Sequence, residues 1–135
     1  MPRLNGPLDV HFINRTFFPS DNPSKINTGR CFLWAYIAFR LYKGVELWTH
    51  EAHAFVKYRG KFYDSQRPHG EEDWRDLPAT NFGQGCGCSR CGRPAKQMSP
   101  KLFKTYNQWG RLAKRYNVVW KDVRALVQKV VESKT

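Results

Sequence analysis

The stretch Cys31-Phe-Leu-Trp-Ala-Tyr-Ile-Ala-Phe39 contains no charge, and a helix that is apolar nearly all round has to be buried on most of its sides. Asn27 or Thr28 is placed to cap such a helix, which extends to about Lys43, where Gly44 supplies a left-handed stop. The run is well short of the roughly 20 apolar residues that cross a bilayer, so no membrane span is expected. Met1-Pro-Arg-Leu-Asn-Gly6 has no apolar signal-peptide core, and the expected location is cytoplasmic or virion-associated. With 15% aromatic residues, the 135-residue chain has enough apolar surface for one domain with a modest core.

Behind the helix come Val45–Thr49 and two better-marked strand patterns, His53-Ala-Phe-Val-Lys-Tyr58 and Lys61–Ser65. The last two flank Arg59-Gly60 and read as a hairpin. If these two residues form the turn, facing positions sum to 119, so Tyr58 faces Lys61 and Phe55 faces Asp64. His53 shares a face with Phe55, and Asp64 is then its diagonal neighbour, roughly 7–8 Å away along the sheet. A four-residue loop keeps this parity, whereas a three-residue loop sends Asp64 to the opposite face.

Cys31, His53 and Asp64 thus bring a thiol at a helix start together with an imidazole and a carboxylate on a hairpin. Unpaired N–H groups and the dipole at the helix start favour negative charge, and the thiolate is the reactive form of cysteine. An imidazole held by a carboxylate is the base such a nucleophile uses. Each residue also has a structural reading: Cys31 as a small buried hydrophobe, His53 satisfying a backbone carbonyl, Asp64 opening a turn with Ser65. His50, beside Glu51, is the competing base if the register slips.

Thr28-Gly-Arg-Cys31 opening an apolar helix, followed by His53-Ala-Phe-Val-Lys-Tyr-Arg-Gly-Lys-Phe-Tyr-Asp64-Ser, resembles the core of papain-like cysteine enzymes. It is most similar to the transglutaminase-like and NlpC/P60-like branches, and the likeness covers about 40 residues. It implies a Cys-bearing helix on an antiparallel sheet, with Cys31 as nucleophile, His53 as general base and acid, and Asp64 as orienting group. The implied reaction is acyl transfer from a peptide, isopeptide or glutamine amide. Asn27 is the candidate second donor to the oxyanion, beside the Cys31 N–H.

The other cysteines cluster as Cys86-Gly-Cys88-Ser-Arg-Cys91 among Gly83, Gly85, Gly87 and Gly92. Cys88 and Cys91 have zinc-chelating spacing, and three thiols need a fourth ligand. His69 is the first choice, with Asp73 and His11 as alternatives, and a structural zinc accounts for a folded glycine-rich loop. Redox-active or incidental cysteines are the rival reading.

From Ser99-Pro100 onward two helical patterns appear, Leu102, Phe103, Tyr106, Trp109, then Val119, Val123, Leu126, Val127, Val130, Val131. Residues 99 to 135 carry nine basic residues against two acidic ones, a net +7 of the chain's +12. Such a balance suggests an anionic partner, nucleic acid or an acidic protein surface, or else a solvated helix face. The expected layout is α+β within a single domain. Residues 1–27 form an irregular arm with one short strand near Val10–Ile13, 28–98 a papain-like core with a Cys-rich loop, and 99–135 a basic helical tail packed on the core. The function expected is that of a cysteine hydrolase or acyltransferase. Its rivals are a zinc-stabilised nucleic-acid-binding module and a non-catalytic structural or inhibitory protein, such as a viral one, on the same fold.

Overall fold

The computed structural model describes residues 3–50, 53–77, 95–104 and 120–134. Three helices precede the sheet: α1 (Val10–Phe17), α2 (Pro23–Gly29) and α3 (Cys31–Leu41). Strands β1 (Glu46–His50), β2 (His53–Tyr58), β3 (Lys61–Tyr63) and β4 (Lys96–Met98) make one antiparallel sheet in the order β3-β2-β1-β4. A short 3₁₀ turn (Trp74–Asp76) follows β3, and helices α4 (Pro100–Lys104) and α5 (Trp120–Lys134) follow β4. The class is α+β, with Cys31 on a helix as expected. Among the described residues no helix is long and apolar enough to cross a membrane.

The amino-terminal arm departs from expectation. Val10–Ile13 is helical because the Asp9 carboxylate accepts from the Phe12 N–H at 2.9 Å, capping a turn that buries Val10 and Ile13 together at i, i+3 spacing. A second cap, Asn22, accepts from the Lys25 N–H at 2.8 Å ahead of Pro23 and starts α2. Asn27 and Thr28 therefore lie inside a helix rather than capping one. The break comes at Arg30 (φ −126°, ψ 17°), and Cys31 is the first residue of α3. Gly44 has the expected left-handed φ of +90°, but α3 has already ended at Leu41.

α3 is buried along most of its length: Cys31, Phe32, Trp34, Ala35, Tyr36, Ile37, Ala38 and Leu41 all join the core. It packs on the sheet face carrying Leu47, Ala54, Val56 and Tyr58. From the other side, Phe103 of α4 meets the Phe32 ring at 5.3 Å, and Val127 and Val131 of α5 are fully covered. The carboxyl-terminal helices therefore pack on the core. Lys101, Arg124, Lys129 and Lys134 stand exposed on them. The opposite sheet face has a smaller cluster of Phe55, Phe62, Trp74 and Leu77, with Trp48 against it.

β2 and β3 join through Arg59 (φ 51°) and Gly60 (φ 82°). Two successive positive-φ residues are the turn that matches the twist of a two-residue hairpin. Tyr58 faces Lys61 and Val56 faces Tyr63, the register that the sum of 119 requires. Past β3 the chain folds back so that Glu71 bridges Phe62. Gly70 makes this return possible. Its φ is +75°, and a Cβ there would stand 2.8 Å from the Tyr63 ring, whereas at Gly60 (φ +82°) a Cβ would meet nothing within 4 Å. Gly60→Ala should therefore cost backbone strain alone, about 1 kcal/mol. Gly70→Ala adds a steric clash and should cost about 2–3 kcal/mol, a difference that urea denaturation of the two variants measures.

Candidate active site

Cys31, His53 and Asp64 come together at one end of the sheet. In an extended β3 the residue facing Ala54 would be Ser65, but β3 stops at Tyr63. The Ala54 N–H instead donates to the Cys31 Sγ at 3.5 Å, so the amino end of α3 abuts β2 beside His53. Asp64, just past β3 and on the His53 face, places Oδ2 3.4 Å from His53 Nε2. The Phe55 ring stacks on His53 at 5.6 Å and 27°, which restricts the imidazole plane. Cys31 retains 6% exposure, His53 0% and Asp64 1%.

A polar brace holds Asp64 in place. Its Oδ1 accepts from the Gln66 N–H at 2.8 Å, closing a local turn. Ser65 Oγ lies 2.7 Å from the Pro23 carbonyl and 2.9 Å from Asn27 Oδ1. Asn27 Nδ2 donates to Gln66 Oε1 at 2.7 Å, and Asn14 Nδ2 donates to the Ser65 carbonyl at 3.0 Å. Asn14 Oδ1 in turn accepts from Trp34 Nε1 at 2.7 Å. α1 and α2 thus grip the turn that carries the carboxylate, and α3 holds Asn14 in place through Trp34.

Asn27 is buried (2%) and both ends of its amide are engaged with Ser65 and Gln66. That arrangement makes it a positioning residue for the Asp64 turn. Asn14, Ser65 and Gln66 have no spacing motif to mark them in the sequence; only the Asp64-Ser65 turn signal pointed to this corner. His50 faces His53 across β1 and β2, and its ring lies against Trp74 at 4.6 Å, while Asp64 pairs with His53. Arg30, immediately before Cys31, forms an ion pair with the nearly buried Asp21, which Lys25 also reaches at 3.6 Å.

The electrostatics follow from this packing. Burial alone pushes the His53 imidazolium down, but the Asp64 carboxyl and the Cys31 thiol beside it outweigh that effect and hold its pKa up to about 9. Neither ring nitrogen, nor Asp64 Oδ2, has a hydrogen bond of good geometry among the described residues. Buried titratable groups left imperfectly paired are costly to a fold, and they concentrate at sites of chemistry. A thiol, an imidazole that stays cationic above neutrality and a carboxylate can together form a charge-paired nucleophile.

Cys86, Cys88 and Cys91 lie outside the described residues. His69 is exposed between β3 and the 3₁₀ turn. Among the described residues no three His, Cys, Asp or Glu side chains gather as a metal site would need.

Because the folded-state pKa of His53 is raised, the stability it contributes is complete below its ordinary value near 6.5 and is lost as pH rises through about 9. The stability difference between wild type and His53→Gln, measured by urea denaturation, should be flat below pH 6.5 and shrink between there and pH 9. In Asp64→Asn the imidazole should titrate at lower pH, as read from its NMR resonances.

No family model, curated protein or solved structure matches the chain, so the site is read from its own geometry.

Proposed function

We propose that the chain is a papain-like cysteine hydrolase or acyltransferase working through Cys31, His53 and Asp64. The observation that carries this reading is the placement of His53 between a thiol at the start of α3 and a buried carboxylate 3.4 Å away. In the proposed reaction the Cys31 thiolate attacks an amide carbonyl carbon of a peptide, isopeptide or glutamine side chain. A C–S bond forms, the C–N bond breaks, and the His53 imidazolium gives its proton to the leaving amine. Water or a second amine, deprotonated by His53, then attacks the thioester and releases the acid or the new amide, regenerating the thiolate and the imidazolium. Asp64 keeps the imidazole oriented and stabilises its cationic form. Substrate approaches from the Cys31 side, since His53 and Asp64 are covered. A cysteine nucleophile works in a reducing compartment, and a cytoplasmic or virion-associated location belongs to the same proposal.

Two further parts belong to this proposal. A structural zinc on Cys86, Cys88 and Cys91, with His69 as fourth ligand, rests on ligand type and spacing. An anionic partner, nucleic acid or an acidic protein surface, rests on the basic carboxyl-terminal third, where Lys101, Arg124, Lys129 and Lys134 are exposed.

Iodoacetamide labelling followed by mass spectrometry tests the nucleophile. Cys31 should alkylate below pH 7 in wild type and about 100-fold more slowly in His53→Ala, with Asp64→Asn in between. A Cys31 that labels only above pH 8.5, or not at all in the folded chain, overturns the enzyme reading in favour of a non-catalytic or nucleic-acid-binding protein. For the metal, elemental analysis should find one zinc per chain, lost in Cys88→Ser, with Cys31 labelling retained.

A further inference from the structure

At the end of α3 away from Cys31, about 14 Å along the helix axis, lie two arginines that no carboxylate of the described residues pairs with. Residues 3–5 run beside the carboxyl end of α3. The Leu4 N–H donates to the Leu41 carbonyl at 2.7 Å, and the Lys43 N–H donates to the Leu4 carbonyl at 2.9 Å, making a parallel bridge between Leu4 and Tyr42. This strap lays residue 3 beside the last turn of α3, which carries Arg40. The Arg3 guanidinium rests 4.8 Å from the centroid of the Phe39 ring.

Burial, and after it the positive charge of Arg40, push the Arg3 pKa below the ordinary arginine value. The two guanidinium groups thus lie close enough to feel each other's charge, with the Tyr36 phenol acting in the opposite direction. Among the described residues no carboxylate pairs with either. The Nε of Arg40 is buried and has no hydrogen-bond partner among them. Lys43, exposed on the next turn, adds a third positive charge. One cation at the carboxyl end of a helix is explained by the helix dipole, but that does not account for a second guanidinium resting on the Phe39 ring at the same end. A buried, unmatched N–H donor carries a desolvation cost that a bound acceptor would remove.

We propose that Arg3 and Arg40, with Lys43 beside them, form an oxyanion site that takes a phosphate group, either free phosphate or the backbone of a nucleic acid. The planar forks of two guanidinium groups suit a tetrahedral oxyanion, which accepts several charge-assisted hydrogen bonds at once. The site is separate from the thiol, so its occupancy and Cys31 labelling are independent readouts.

The test is a titration of the full chain with inorganic phosphate at constant ionic strength, following the arginine Nε–Hε resonances by NMR and the affinity by calorimetry. The Arg40 Nε–Hε resonance should move to saturation, and Arg3→Gln and Arg40→Gln should each weaken binding by about tenfold or more. Arg3 lies on the surface strap, so its variant keeps the test sound if Arg40→Gln does not fold. A short single-stranded oligonucleotide forms the second arm. Saturation by the oligonucleotide at lower concentration than phosphate assigns a nucleic-acid backbone, and the reverse order assigns free phosphate. An Arg40 shift reproduced by chloride, or phosphate affinity unchanged in Arg3→Gln, overturns the proposal.

Discussion

Alternation along a strand gives a hairpin only two outcomes, and at Arg59-Gly60 the choice between them decides what this protein has at its centre. With two positive-φ residues in the turn, Phe62 and Asp64 fall on the side of Phe55 and His53. A slip of one residue would turn Asp64 away and leave a buried imidazole with no carboxylate. The turn is therefore the point on which the electrostatics of the interior depend. Its effect reaches the Cys31 thiol only because β3 ends early. A strand two residues longer would pair with the Ala54 N–H and close the gap that Cys31 fills.

The brace around Asp64 shows how a small domain pays for an internal charge. Asn14 and Asn27, which grip the turn, come from different helices, and Trp34 of a third holds Asn14. With the turn so held, the Gln66 N–H satisfies one carboxylate oxygen and the other faces His53. Apolar packing supplies the rest: Phe55 lies against the imidazole, and α3 is covered on both sides by the sheet and by α4 and α5. Polar satisfaction around the turn, rather than within the cluster itself, lets three titratable groups stay buried together.

How much of this was legible in the sequence depends on the range of each interaction. β2, its turn and its register were readable because alternation and Arg59-Gly60 are local signals. α3 was readable from its apolar run. α1 was missed because Val10-His-Phe-Ile13 alternates like a strand over four residues, and the Asp9 cap overrides that pattern. β4 was missed because Lys96-Gln-Met98 has neither β-branched nor aromatic residues and becomes a strand only by pairing with β1. The contact from Asn14 to Ser65 spans 51 residues and left no trace in the spacing of either. Asn27 reads in the sequence as a helix cap or an oxyanion donor, and only the fold shows what its amide holds.

The hydrogen bond from the Ala54 N–H to the Cys31 Sγ also gives the protein a built-in reporter. A backbone amide that donates to sulfur senses the charge on that sulfur, since an anionic acceptor draws the proton more strongly than a neutral one. The Ala54 amide resonance thus reads the ionisation of the thiol from inside the sheet, without a label and without disturbing the cluster. Any adduct on Cys31 changes this acceptor at once, so the main chain of β2 registers the chemical state of a side chain on a different element.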